Sequence, residues 1–454
     1  MTEQEKASIV ASVKDGVVGT IRGVGDVAGA VVDAVSGVLI KTLKGTRAVG
    51  SEVGALVADT VTGTVQGVAE VGAEIGSAAK GVVIGTLKGT KEVGTSAVET
   101  ISGSTSALIK GVAEVGGDVG ATAKGAVEGA IVGAKELGVG VTEAASAAAS
   151  AVIKSTSTVG AEIGASARSA LIGVLYGTKE VGASAIETIS GSTSALIKSA
   201  AEVGGDVAAT AKGAVEGAIV GAKELGVGVT EAASAAATAV VKSASTVGAE
   251  IGTTAKSAIV GVLTGTKEVG TKAVETISGS TSALIKGVAE VGGDVGATAK
   301  GAVEGAIVGA KDLGVGATFA ASAAATAAIQ SASRVGAEIG ATAKSALVGV
   351  VHGTKQVGES VVESLSSGAS AVVKAAAETG ADIANTAKKA VEGTIEAAKD
   401  LGVDTAEAAS ATAAGAIKAA GNISASAGEQ VRNAVTGTIA GVKVIVKEPF
   451  KKQG

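Results

Sequence analysis

The chain has 454 residues, of which 70 are glycine, one is proline and none is cysteine, and aromatic residues make up 1% of it. Thirty-eight basic residues against 43 acidic ones give a formal net charge of −5, which argues against nucleic acid as a partner, since a phosphate backbone needs a net basic face. Without cysteine there are no disulfides or thiolate metal sites, and the scarcity of aromatics leaves little for an ordinary interlocking core.

The first residues, MTEQEKASIVASVKDG, lack the basic-then-apolar order of a signal peptide, so the expected location is intracellular, peripheral on a membrane or lipid body. From Met1 to Lys451 the chain reads as 41 consecutive eleven-residue blocks without insertion or deletion. Gly89–Glu99 reads GTKEVGTSAVE, and eight blocks later GTKEVGASAIE restarts the cycle at Gly177, a period of 88 residues. Half of that period is visible in a Lys-acid-aliphatic-Gly signature at Lys91, Lys135, Lys179, Lys223, Lys267 and Lys311, each 44 residues on, with weaker copies at Lys355 and Lys399 and an earlier one at Arg47. Eleven residues make three helical turns at about 3.67 residues per turn, so every block points its side chains the same way. Repetition at this scale normally signals stacked units, but proline punctuation is missing, since the only proline is Pro449.

The expected fold is therefore all-α: a long continuous amphipathic helix over residues 1–448, curved and laid on a surface or assembled side by side into an oligomer. A short basic tail, 449–454, carries Phe450, Lys451 and Lys452 after the helix-ending Pro449 and suits an anionic surface. The longest uncharged run, Leu313–Ser333, is mostly Ala, Ser, Thr and Gly and is not read as transmembrane. Strand alternation is broken repeatedly by pairs such as Lys91-Glu92 and Gly116-Gly117, so helix is preferred over a Gly-rich β-solenoid.

With block positions named a to k, the aliphatics gather at e, i, b and j. Val93, Ile101, Leu108, Ile109, Val112, Val115, Val119 and Ile131 form the apolar stripe, facing lipid or a partner. Position c carries Lys91, Lys124, Lys135, Arg168, Lys179 and Lys223 on one flank; d and h carry Glu92, Glu114, Glu136, Asp118 and Glu162 on the other. Parallel neighbours with the same face down would set basic against acidic, whereas antiparallel ones would oppose like charges. Glycine recurs at f every 22 residues, at Gly94, Gly116, Gly138 and Gly160, which reads as room for close backbone approach. Each glycine costs roughly 0.8–1 kcal/mol in a helix interior, so the helix is expected to need a cover over its stripe. A fold-back would use a Gly-rich turn such as Leu137–Gly140.

No enzymatic chemistry is legible, and no cofactor or metal is expected. His352 is the only histidine, and its repeat equivalents are Tyr176, Thr264 and Lys88, which speaks for a surface residue. The acids recur as solvated singles, GVGDVAG near Gly23 has no strand-turn-helix context, and the Asn422-Ile423-Ser424 sequon has no secretion signal beside it. Phe319 and Gln330 replace Glu143/Glu231 and Lys154/Lys242 of the earlier repeats, losing both charges on one face.

GTKEVG, GVLYGTKEVG and GVVHGTKQVG resemble the eleven-residue lipid-binding repeats of the synucleins, with the same logic as perilipins and exchangeable apolipoproteins. That resemblance implies an extended amphipathic helix lying on phospholipid or a lipid droplet. Three readings follow: a non-enzymatic scaffold that covers or shapes a lipid surface, a protein that assembles with copies of itself into a ring, tube or filament, and a desiccation-protective repeat protein. The mean hydropathy of +0.49 sets the chain apart from the hydrophilic desiccation proteins. The expected partners are a lipid surface, further copies as a homo-oligomer, or both.

Overall fold

The computed structural model describes residues 3–21, 27–45, 51–91, 96–270, 272–314 and 316–446. They form helices throughout until a short terminal hairpin. In chain order the helices are α1 (Glu3–Ile21), α2 (Val27–Gly45), α3 (Ser51–Val71), α4 (Ile75–Lys91), α5 (Ala97–Glu114), α6 (Val119–Leu137), α7 (Val141–Val159), α8 (Ile163–Val181), α9 (Ala185–Glu202) and α10 (Val207–Leu225). Then come α11 (Val229–Thr246), α12 (Ile251–Val269), α13 (Ala273–Glu290), α14 (Val295–Leu313), α15 (Ala317–Arg334) and α16 (Ile339–Val357). The last are α17 (Val361–Glu378), α18 (Ile383–Leu401), α19 (Thr405–Ile423) and α20 (Ala425–Val435), followed by strands β1 (Gly437–Ile439) and β2 (Val442–Val444).

The all-α class and the side-by-side packing of helices agree with the sequence reading. The continuity does not. The chain breaks every 22 residues, and the glycines at position f make the break. Gly116, Gly138 and Gly160 have φ of 69°, 75° and 70°, a left-handed conformation that glycine adopts without penalty, and nothing lies within 4 Å of a Cβ added to any of them. They are helix-ending residues, not sites of close approach; Gly94 lies outside the described residues. At the end of α6 the Gly138 N–H donates to Lys135 O at 3.2 Å and the Val139 N–H to Ala134 O at 2.8 Å, the paired bonds of a Schellman motif. Two residues later the next helix begins. Asp118, Asp206 and Asp294 each accept the N–H three residues on, at 3.0, 2.9 and 2.9 Å, and cap α6, α10 and α14. The punctuation is thus glycine followed by an N-cap, with no proline involved.

The chain divides into two compact units, Met1–Ala239 and Val240–Gly454, with the division inside α11. In the first unit, α2, α4, α6, α8 and α10 stack as one layer and α1, α3, α5, α7 and α9 as a second. In the second unit, α12, α14, α16, α18 and α20 form one layer and α13, α15, α17 and α19 the other. Within each unit consecutive helices are antiparallel and helices two apart are parallel. The core lies between the layers; in the second unit Ile285, Ala299 and Ala328 meet there, all fully buried.

Within the even-numbered layers the backbones nearly touch. A Cβ added at Gly125 would sit 2.0 Å from Gly76 O, at Gly213 1.9 Å from Gly164 O, and at Gly301 2.0 Å from Gly252 O. Each contact links residues 49 apart, while the helix repeat is 44 (Lys91 to Lys135), so each parallel neighbour is advanced by about five residues, roughly 7.5 Å at 1.5 Å per residue. Some buried threonines satisfy themselves on their own helix: Thr86 donates to Val82 O at 2.6 Å and Thr354 to Val350 O at 2.7 Å.

The array ends in a cap. Helix α20, 11 residues long with Ser424 as N-cap, packs on α18 and α19, and β1 pairs antiparallel with β2. Residues 437–444 fall within the eleven-residue frame yet are strands. Their two-residue turn places Ala440 at φ 47° and Gly441 at φ 81°, the type I′ geometry in which asparagine usually precedes glycine. The basic tail 449–454 lies outside the described residues.

Three glycine substitutions should separate by context in chemical denaturation of the full chain. Gly213→Ala forces backbones apart and should cost about 1–3 kcal/mol. Gly138→Ala strains a left-handed residue and should cost about 1–2 kcal/mol. Gly37→Ala, in a helix with nothing within 4 Å, should gain about 0.5–1 kcal/mol. Ala440→Asn should stabilise the hairpin by about 1 kcal/mol, read as slower amide exchange at residues 437–444.

Candidate functional surface

The stripe residues divide by their place in the helices. Ile101, Leu108, Ile109, Val112 and Ile131 are at most 2% exposed and face the interlayer core, covered by the chain itself. Val115 follows the last residue of α5 and is 44% exposed; Val119 opens α6 and is half-buried. Val93 and Glu92 lie outside the described residues.

The flank charges sit at helix ends. Lys91, Lys135, Lys179 and Lys223 are exposed in the last turns of α4, α6, α8 and α10, where a cation complements the helix dipole. In the second unit the same lysine reaches a backbone carbonyl at the end of the next parallel helix: Lys311 Nζ donates to Val357 O at 2.9 Å, and Lys267 Nζ to Asp312 O. Lys399 Nζ instead donates to Ala440 O in the terminal turn, at 3.0 Å. Glu114 is the exposed last residue of α5, Asp118 caps α6, and Glu136 receives Lys88 Nζ at 3.0 Å. Glu162 occupies the N-cap position of α8 without a side-chain bond.

Basic does oppose acidic between parallel helices, and it does so within one chain. Lys80 Nζ meets Glu128 at 2.9 Å, Arg168 Nε meets Glu216 at 2.8 Å, and Lys256 Nζ meets Glu304 at 2.7 Å. The equal spacing of 48 residues at Lys80 and Lys256 follows from the parallel stagger. Lys80 also reaches Glu180 on α8 at 2.6 Å, across α6. The second unit repeats the arrangement, with Lys256 donating to Gln356 on α16 at 2.8 Å. Burial pushes the Lys80 ammonium down, but its hydrogen bonds to Glu180 and Glu128 outweigh this and hold it above its ordinary value.

In both units the even-numbered layer carries a position that varies between repeats, Lys88, Tyr176, Thr264 and His352. Tyr176 donates to Glu224 at 2.8 Å, and its ring lies 3.9 Å beneath Lys124 Nζ. His352, in the equivalent position on α16, is half-buried. Burial first, and then Lys300, hold its imidazolium below the usual histidine range, against the opposing pull of Glu304 and Asp400. Among the described residues no group of three His, Asp or Glu side chains is placed to hold a metal ion, and no helix is long and apolar enough to cross a membrane.

Sequence reasoning missed the lysine–glutamate ladder and the close-packed glycines. The signal for the second was present: Gly125, Gly129 and Gly133 recur every fourth residue in α6, a spacing that lines one helix face.

Because the folded-state pKa of His352 is depressed, the unfolded chain binds its proton first as pH falls below 6.5. Stability should therefore decline from pH 6.5 downward until the folded-state value is passed. His352→Thr, the residue at the equivalent Thr264, should flatten that part of the profile; urea midpoints between pH 7 and 5 check this.

No protein-family model matches the chain, and a search of curated proteins finds no match either.

Proposed function

We propose that this protein is a self-supporting helical-repeat scaffold that acts through its long repeated outer faces. The observation that carries this reading is the burial of the apolar stripe by the chain's own parallel and antiparallel neighbours. Ile101, Ile109, Ile131, Ile189 and Leu196 are fully buried without any lipid or second chain. Each helix brings little intrinsic stability with so many glycines, yet the glycines admit backbone contact between neighbours, and each repeat gains its stability from the ones beside it. What faces outward is a two-signed, evenly spaced pattern of charges and hydroxyls, suited to a partner with a matching repeat.

The synuclein-like reading, in which the helix lies on phospholipid, rests on an apolar stripe left free to enter a membrane. A lipid-covering role would then require the layers to open. Self-assembly into larger bodies remains compatible with the scaffold, with polar faces and not the stripe making the contact.

Circular dichroism on dilute chain, with a vesicle flotation assay alongside, tests the proposal. High helicity and a cooperative thermal transition are expected without vesicles, with no helicity gained on adding them. A chain that is largely unstructured alone and turns helical only on vesicles would replace the scaffold with the lipid-covering role.

A further inference from the structure

We propose that the outward groove between α17 and α19 binds a phosphate-type oxyanion. The groove encloses about 580 Å³, a volume in the range of small-ligand sites. Its polar lining consists of Ser366, Ser367, Ser370, Lys374, Lys418 and Asn422, with a further hydroxyl from Ser322 on α15, and no carboxylate lines it.

Among the described residues neither lysine is bridged to an acid, for a reason built into the repeat. Along the odd-numbered layers a cation on one helix meets an acid 48 residues later: Lys154 pairs with Glu202 at 2.9 Å and Lys242 with Glu290 at 2.5 Å. Gln330 takes the same place, donating to Glu378 at 3.1 Å. Every second step lacks the acid. Forty-eight residues after Lys110, Lys198, Lys286 and Lys374 stand Thr158, Thr246, Arg334 and Asn422, an alternation that accounts for part of the difference between the 44- and 88-residue periods.

At the α17–α19 step the second cation is also unpaired. Lys154 and Lys242, which stand where Lys418 stands, are bridged to the following helix of their layer, but among the described residues no helix follows α19 in that layer. The acid nearest to Lys374 in sequence, Glu378, is not bridged to it; it accepts from the neutral Gln330 amide and keeps its charge. The Ser370 hydroxyl is committed to Gly415 O at 2.9 Å, which leaves the hydroxyls of Ser366 and Ser367 beside the two ammonium groups and the Asn422 amide. Two cations without an ion-pair partner among the described residues, flanked by neutral donors, satisfy a tetrahedral oxyanion, which accepts charge-assisted hydrogen bonds at several oxygens. The scarcity of aromatics and the net charge of −5 disfavour a nucleic-acid strand as its source. This inference stands whether or not the scaffold proposal does.

Isothermal titration of the full chain with inorganic pyrophosphate at low salt tests the site. Co-sedimentation with phosphatidic-acid vesicles, against phosphatidylcholine vesicles as control, separates a lipid headgroup from a soluble phosphate. A single class of pyrophosphate site is expected, weakened at least tenfold in the double variant Lys374→Gln/Lys418→Gln and about threefold in Ser367→Ala. Lys154→Gln, whose lysine is bridged to Glu202, should bind as the wild type does. Binding of phosphatidic-acid vesicles alone, lost in the double variant, identifies a headgroup as the source. The inference is overturned if neither probe binds, or if a double variant of unchanged helicity binds both as tightly as the wild type.

Discussion

The structure depends on backbone lying against backbone in the even-numbered layers. Where Gly125 faces Gly76, or Gly213 faces Gly164, there is no room for even a methyl group. That contact sets the separation of parallel helices and, through its 49-residue register, their stagger. The stagger brings Lys80 opposite Glu128 and, one helix further, opposite Glu180. The charge ladder of each unit follows from it, as does the meeting of Tyr176 with Glu224 in the first.

A second constraint acts between the helices. A three-residue link can reverse the chain only if one residue takes a left-handed conformation and the next helix is capped at once. Gly116-Gly117-Asp118 meets both needs, as does Gly182-Ala183-Ser184, where Ser184 caps α9. Glycine therefore has two separate roles here. At f it ends helices; at d and h of the intervening blocks, as at Gly125 and Gly129, it lets them touch. The first role costs little because φ is positive there. The second offsets the helix penalty with packing that alanine would forbid.

Much of this was legible in the chain. The period identifies the helices and the aliphatic positions identify Ile101, Leu108 and Ile131 as residues needing cover, but the acids that meet the basic flank, Glu128, Glu216 and Glu304, are not those read as the acidic flank. The continuous helix was inferred from unbroken phase, and there the reasoning failed for a physical reason. A tandem repeat of 22 residues keeps an eleven-residue phase whether its turns are helical or not. Phase records the length of the duplicated unit, while continuity depends on φ at one glycine per unit.

By itself, then, the sequence determined helix type, the amphipathic stripe and the absence of thiol chemistry, because these depend on residue identity and on spacing along one helix. Only the tertiary structure decided what covers the stripe, which glycines end helices and which join them, and which lysines find an acid. Those outcomes depend on residues 48 and 49 apart meeting in space, a distance set by a reversal of the chain and not by any helical period.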